Sequence, residues 1–130
     1  MIDEFRANEG RVGGTWEGTP LLLLHHTGAK PGVSRVNPVA YLPDNERYLI
    51  WAANGGVPSN PDWYHNLKAH ANTRIEVGSE TIHVVAEETT GAERERLFAR
   101  ASERYPQLHE LATKTPRVIP VFVLAPRGKA

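Results

Sequence analysis

Apolar runs of strand length, each closed by turn-forming residues, set the rhythm of the chain from residue 20 onward. They are Pro20 to His26, Arg35 to Leu42, Arg47 to Ala53, Thr73 to Val77, Thr81 to Glu87 and Val118 to Leu124. Runs bounded by Gly, Pro, Asn and Asp read as β-strands, so the pattern predicts six. Val77-Gly78-Ser79-Glu80 is the clearest hairpin, because glycine at the first central position suits a type II′ turn and the flanks alternate. Pro43-Asp44-Asn45 closes a second pair. Most connections are too short for a crossover helix, which makes the fold mainly β with a mostly antiparallel sheet. Six such strands favour a curled sheet or small barrel.

Two helices interrupt the strands. In "SNPDWYHNLKAH" Asn60 can cap, Pro61 fits the first helical position and Asp62 complements the helix dipole. The second begins with the capping-box pattern Thr90-Gly91-Ala92-Glu93 and runs to Tyr105, with Leu97, Phe98, Ala101 and Tyr105 three and four residues apart. Pro106 ends it, and Leu108 to Lys114 adds a further turn or two. Pro120 marks an edge or an end of the last strand. Residues 1–19, rich in glycine and charge, form an N-terminal helix and loop extension of one domain spanning residues 1–130.

Charge then narrows the function classes. Lys plus Arg number 15 and Asp plus Glu number 15. No global positive field exists to gather a polyanion, which argues against nucleic acid, so any anion site must be local. The absence of cysteine removes disulfides, thiolate nucleophiles and cysteine zinc sites, and points to the cytoplasm. The start, "MIDEFRANEG", lacks an apolar signal region, and no segment approaches the roughly 18 apolar residues of a membrane span. A soluble protein is expected.

Local anion chemistry is available at "HTGAKPGVSR", where Lys30 and Arg35 flank a turn of Gly28, Pro31 and Gly32 directly after the run Leu21 to Leu24. Alone, such a corner is an ordinary solvated hairpin loop. "WAANGGVPSN" changes the weighing, because a strand ending in Asn54-Gly55-Gly56 can point successive backbone N–H groups at a ligand. The helix that follows offers free N–H groups at its start and sets Trp63, Asn66 and Leu67 along one face. Together these could neutralise a phosphate with Lys30 and Arg35, meet a flat polar edge with the glycine backbone and wall it with Trp63. The plainer reading makes Trp63 and Leu67 the buried seam of an amphipathic helix, with Asn66 bridging loops.

Other chemistries lack their residues. His65 and His70 turn onto different helix faces, His109 has no zincin partner, and adjacent His25 and His26 point to opposite sides of a strand, so no metal is expected. No serine occupies a nucleophile elbow. Glu87-Glu88, Glu93 and Glu95 suit a solvated surface, and Gly10, Gly13 and Gly14 do not fit a dinucleotide fingerprint. Many donors and cations with few acids and bases suit a ligand that brings its own chemistry.

The ordered set "TGAKPGVSR", "WAANGGVPSNPDWYHNLKAHANTRIEV" and "IPVFVL" resembles the deazaflavin-dependent nitroreductase family of actinobacteria, from about Gly10 onward. The resemblance implies a six-stranded split β-barrel with two or three short helices, and the cofactor coenzyme F-420 (8-hydroxy-5-deazaflavin), ring deep and phosphate and glutamyl tail outward. Carried over by motif, Lys30 and Arg35 hold the phosphate and Asn37 reaches it. Ala53, Asn54, Gly55 and Gly56 line the ring, Pro61 and Trp63 shape the pocket, and Asn66 and Leu67 help hold the ribityl phosphate. The implied activity is hydride transfer to a small hydrophobic acceptor: a quinone, an activated enone or a nitroaromatic.

Tyr105 is the candidate substrate contact, with packing against Phe98 as the alternative. Family members that reduce nitroimidazoles carry further tyrosines where this chain has Leu108 and Leu111, which implies a more apolar acceptor pocket. An FMN-using relative on a similar barrel and a non-catalytic deazaflavin store are the rival readings. The pattern fits a monomer or a homodimer.

Overall fold

A computed structural model describes residues 2–11, 13, 19–28, 33–53, 59–115 and 118–127. Its strands are β1 (Leu21–Thr27), β2 (Ser34–Ala40), β3 (Leu42–Asp44), β4 (Arg47–Trp51), β5 (Asn72–Val77), β6 (Glu80–Glu88) and β7 (Val121–Pro126). Its helices are α1 (Ile2–Ala7), α2 (Asp62–Ala69), α3 (Gly91–Arg104) and α4 (Gln107–Lys114). The sheet runs β2-β1-β5-β6-β7-β4-β3 with every pairing antiparallel. Leu22 and Leu24 of β1 share one buried cluster with Ile50 of β4 and Phe122 and Leu124 of β7, so the sheet curls its two halves around a common interior. Trp63 and Leu67 of α2 plug that interior.

Seven strands stand where six are expected among the described residues, because the Arg35–Leu42 run divides at Tyr41 and Leu42–Asp44 pairs separately with Arg47–Leu49. The turn after β3 therefore falls at Asn45-Glu46, one residue later than the sequence suggests, with Asn45 at φ +57. The Gly78-Ser79 hairpin has Gly78 at φ +59 and Val77 opposite Glu80, as a type II′ turn asks of its first central residue. Pro61, and not Asn60, is the N-cap of α2, and Thr90 is the N-cap of α3 without a side-chain capping bond.

Helix α1 is anchored by Phe5, fully buried against Leu21 and Leu23 on the outer face of β1. The chain then passes Gly10, at φ +94, whose missing side chain lets the backbone approach Gly78: a Cβ there would sit 3.0 Å from the Gly78 Cα. Arg6 adds an ion pair, donating from Nε (3.0 Å) and Nη2 (2.8 Å) to Glu76, whose Oε2 also lies 2.6 Å from His25 Nε2. The Arg6 hydrogen bond, and after it that from His25, pulls the Glu76 carboxyl from 4.5 to about 2 against the opposing effect of burial.

A depressed folded-state pKa gives stability that is complete above pH 4.5 and fades as pH falls toward 2. Glu76→Gln should therefore lower Tm at pH 7 by roughly 3–6 °C and leave a flatter Tm profile below pH 4.5. A scan series showing the same acid slope in both proteins would refute the assignment.

Candidate functional site

The inward face of β1 alternates Leu22, Leu24 and His26, and the last of these is buried like the leucines, at 2% exposure. Burial holds a polar ring only if its nitrogens are paired. His26 meets that condition through two asparagines: Nε2 lies 2.5 Å from Asn37 Oδ1 on β2, and Nδ1 lies 2.9 Å from Asn66 Nδ2 on α2. The amide of Asn66 donates, so Nδ1 accepts and Nε2 carries the proton toward the Asn37 carbonyl oxygen. Only a neutral imidazole makes both bonds. Desolvation, first among the influences, lowers its pKa, outweighing the opposing bond to Asn37, and the Arg35 charge lowers it further.

This bridge ties β1, β2 and α2 together behind a cleft of about 400 Å³. Arg35, Asn37, Pro61 and Trp63 line it, with His26 at its back and Asp62 in the first turn of α2. Arg35 sits opposite His26 in the β1–β2 register, exposed, with no ion pair among the described residues. Asn37 spends its carbonyl oxygen on His26, which leaves its amide N–H groups for the cleft. Trp63, 8% exposed, is both things the sequence allows: its ring packs 6.0 Å from that of Phe122 and one edge walls the cleft.

Of the sequence-derived candidates, four thus meet at one cleft, and Asn66 and Leu67 stand behind it, buried. Lys30, Asn54, Gly55 and Gly56 lie outside the described residues. Ala53 packs in a separate cluster with Tyr105, Leu108 and Ile119. Tyr105 belongs to that core: it is 5% exposed, its ring lies 5.2 Å from Trp51, and its hydroxyl donates to the Tyr41 carbonyl at 3.1 Å. Leu108 is equally buried there, so a tyrosine at 108 would overfill the cluster rather than line a cleft. Among the described residues no group of three His, Asp or Glu side chains is arranged to hold a metal, and no helix is long and apolar enough to cross a membrane.

His26 is the residue the sequence reading left unassigned. Its signal was the period of two: an imidazole in register with two fully buried leucines must face inward and find partners. His25 faces the other way, onto Glu76, as the alternation requires.

The donor set fits a phosphorylated, conjugated ligand: a guanidinium with no ion pair among the described residues, a fixed amide and an indole wall around one cavity. Similar proteins carry such a ligand in their names. A family model described as F420H(2)-dependent quinone reductase matches residues 1–126. An F420H(2)-dependent quinone reductase of Mycobacterium tuberculosis is 38% identical over 127 residues, 95% of this chain and 85% of that protein. Among solved structures, the F420-H2 dependent reductase FDR-A is 39% identical with a TM-score of 0.74, covering 81% of this chain and 93% of that one. A chain described as a domain-swapped dimer is also 39% identical, with a TM-score of 0.75, over 81% of this chain and 79% of its own length.

Proposed function

Since the chain belongs to the family of F420H(2)-dependent quinone reductases, we propose that its cleft holds reduced coenzyme F-420 and that the enzyme uses it to reduce a small hydrophobic acceptor, a quinone foremost. The observation that carries this reading is the two-sided cleft, cationic and amide-lined at Arg35 and Asn37, aromatic at Trp63. When bound, the deazaflavin supplies the hydride. Everything else is the work of the chain. Arg35, with Lys30, balances the phosphate charge; Asn37, held by His26, donates to an oxygen; Pro61 and Trp63 keep water from one wall. Asn54, Gly55 and Gly56 offer backbone donors to the ring. Fixing the two reactants side by side is the main rate effect such a site supplies. The curled sheet is then the wall of a split β-barrel.

The test is a titration of the purified protein with F-420 and with FMN, followed by fluorescence, and then turnover of the reduced deazaflavin with a short-chain menaquinone. Saturable F-420 binding, weaker FMN binding and quinone-dependent oxidation are expected. Tighter binding of FMN would replace the cofactor assignment. Tight F-420 binding without oxidation by any quinone, enone or nitroaromatic would make the protein a carrier instead.

A further inference from the structure

The outer face of the sheet carries a feature that the hydride-transfer reading does not use. Arg74 on β5 pairs directly with His83 on β6, and Arg127, one residue past β7, donates its backbone N–H to the His83 carbonyl at 2.7 Å. On the other side, the β1–β5 register continued one residue beyond Leu24 and Ile75 sets His25 beside Arg74. Four basic side chains thus form one row across four neighbouring strands, about 14 Å end to end at the usual interstrand spacing.

Like charges in directly opposed positions destabilise a sheet, and a row of this kind ordinarily alternates with carboxylates. Here it does not. The nearest acid, Glu76, is committed to Arg6 and His25. Arg74, His83 and Arg127 are exposed, and no carboxylate pairs with them among the described residues. They also share a cavity of about 240 Å³ at the strand ends, whose lining among the described residues contains no Asp or Glu and includes Arg35 and His26 from the first cleft.

The geometry points to a second anion subsite, built from Arg74, His83 and Arg127, that takes a small ligand bearing two or more phosphate or carboxylate groups and adjoins the cofactor cleft through Arg35. Guanidinium forks match both oxyanions in two-point contact, and two of them spaced along a row select for multivalency over a single charge. Such an anion has two sources. It is either a free metabolite or the distal, charged end of the molecule held in the first cleft, and only the second depends on the function proposed above.

The test uses tripolyphosphate and citrate as probes, titrated into the whole protein at low salt and read by calorimetry and by amide chemical shifts. Saturable binding with shifts at residues 74, 83 and 127 is expected. Arg74→Ala with Arg127→Ala should weaken it at least tenfold, whereas Arg96→Ala, an exposed arginine on α3, should not. Absence of saturable binding, or equal weakening by Arg96→Ala, would overturn the subsite.

A second arm compares F-420 with the same deazaflavin ending at its phosphate. Selective loss of affinity for the longer form in the double variant assigns the anion to the cofactor's tail, and unchanged affinity for both forms assigns it to a free ligand. Failure of the unaltered protein to bind either form would sink the cofactor reading while leaving the tripolyphosphate result standing.

Discussion

Replacing Lys30 and Arg35 together by alanine is expected to weaken F-420 binding by two to four orders of magnitude and to leave Tm nearly unchanged. The affinity loss follows from two charge-assisted hydrogen bonds of about 1.5–3 kcal/mol each, which convert to roughly 10²- to 10⁴-fold in Kd. The neutral effect on stability follows from position. Arg35 lies exposed near the start of an edge strand and has no ion pair among the described residues to lose. Arg35→Lys should recover only part of the affinity, because a point charge cannot reproduce two-point contact with a phosphate. A fluorescence titration at two salt concentrations measures both size and origin. The double variant should lose most of the salt dependence together with the affinity. Unchanged Kd would remove the clamp, and with it the orientation of ligand in the cleft.

Part of the site was legible from residues alone, since Arg35, Asn37, Pro61 and Trp63 lie in local motif segments and the structure lines one cleft with all four. The strands were readable for the same local reason. What was not readable depended on partners far along the chain. Strand β3 contains a proline and only three residues, and it closes because Asp44 is buried between Arg47 and Arg100, the second of them contributed by α3. Those two arginines hold the Asp44 carboxyl below its usual range against the cost of burial. No window of sequence around Leu42 contains that information. Helix α1, expected within residues 1–19, depends on such a partner for its persistence: its six residues cannot persist by propensity, and it forms where Phe5 finds Leu21 and Leu23. Tyr105 had two readings, a substrate contact or packing against Phe98, and its side chain lies with Leu108 in the cluster against which Phe98 packs.

His26→Leu should cost stability and cofactor affinity together, and the two losses have separate origins. Leucine fills most of the ring's volume but accepts nothing from Asn66, which is 7% exposed, so one buried amide N–H loses its partner at about 1–3 kcal/mol. For a domain of this size that is a fall of roughly 4–12 °C in Tm. Asn37 is released at the same time, and its amide no longer faces the cleft in one orientation, so F-420 affinity should drop about tenfold, the worth of one hydrogen bond.

The distinguishing measurement is pH. Because the folded-state pKa of His26 lies below 6.5, the unfolded chain takes up the proton first, and the bridge's stability is complete above pH 6.5 and declines as pH falls from there. The unaltered protein should therefore lose stability as pH falls below 6.5, a window that opens above the one set by Glu76, and His26→Leu should not. His26→Gln, which can still reach one asparagine, should fall between them in Tm while showing the same flat profile. If the unaltered protein is flat across that window, the imidazole is not held neutral between Asn37 and Asn66, and the cleft has no fixed back wall.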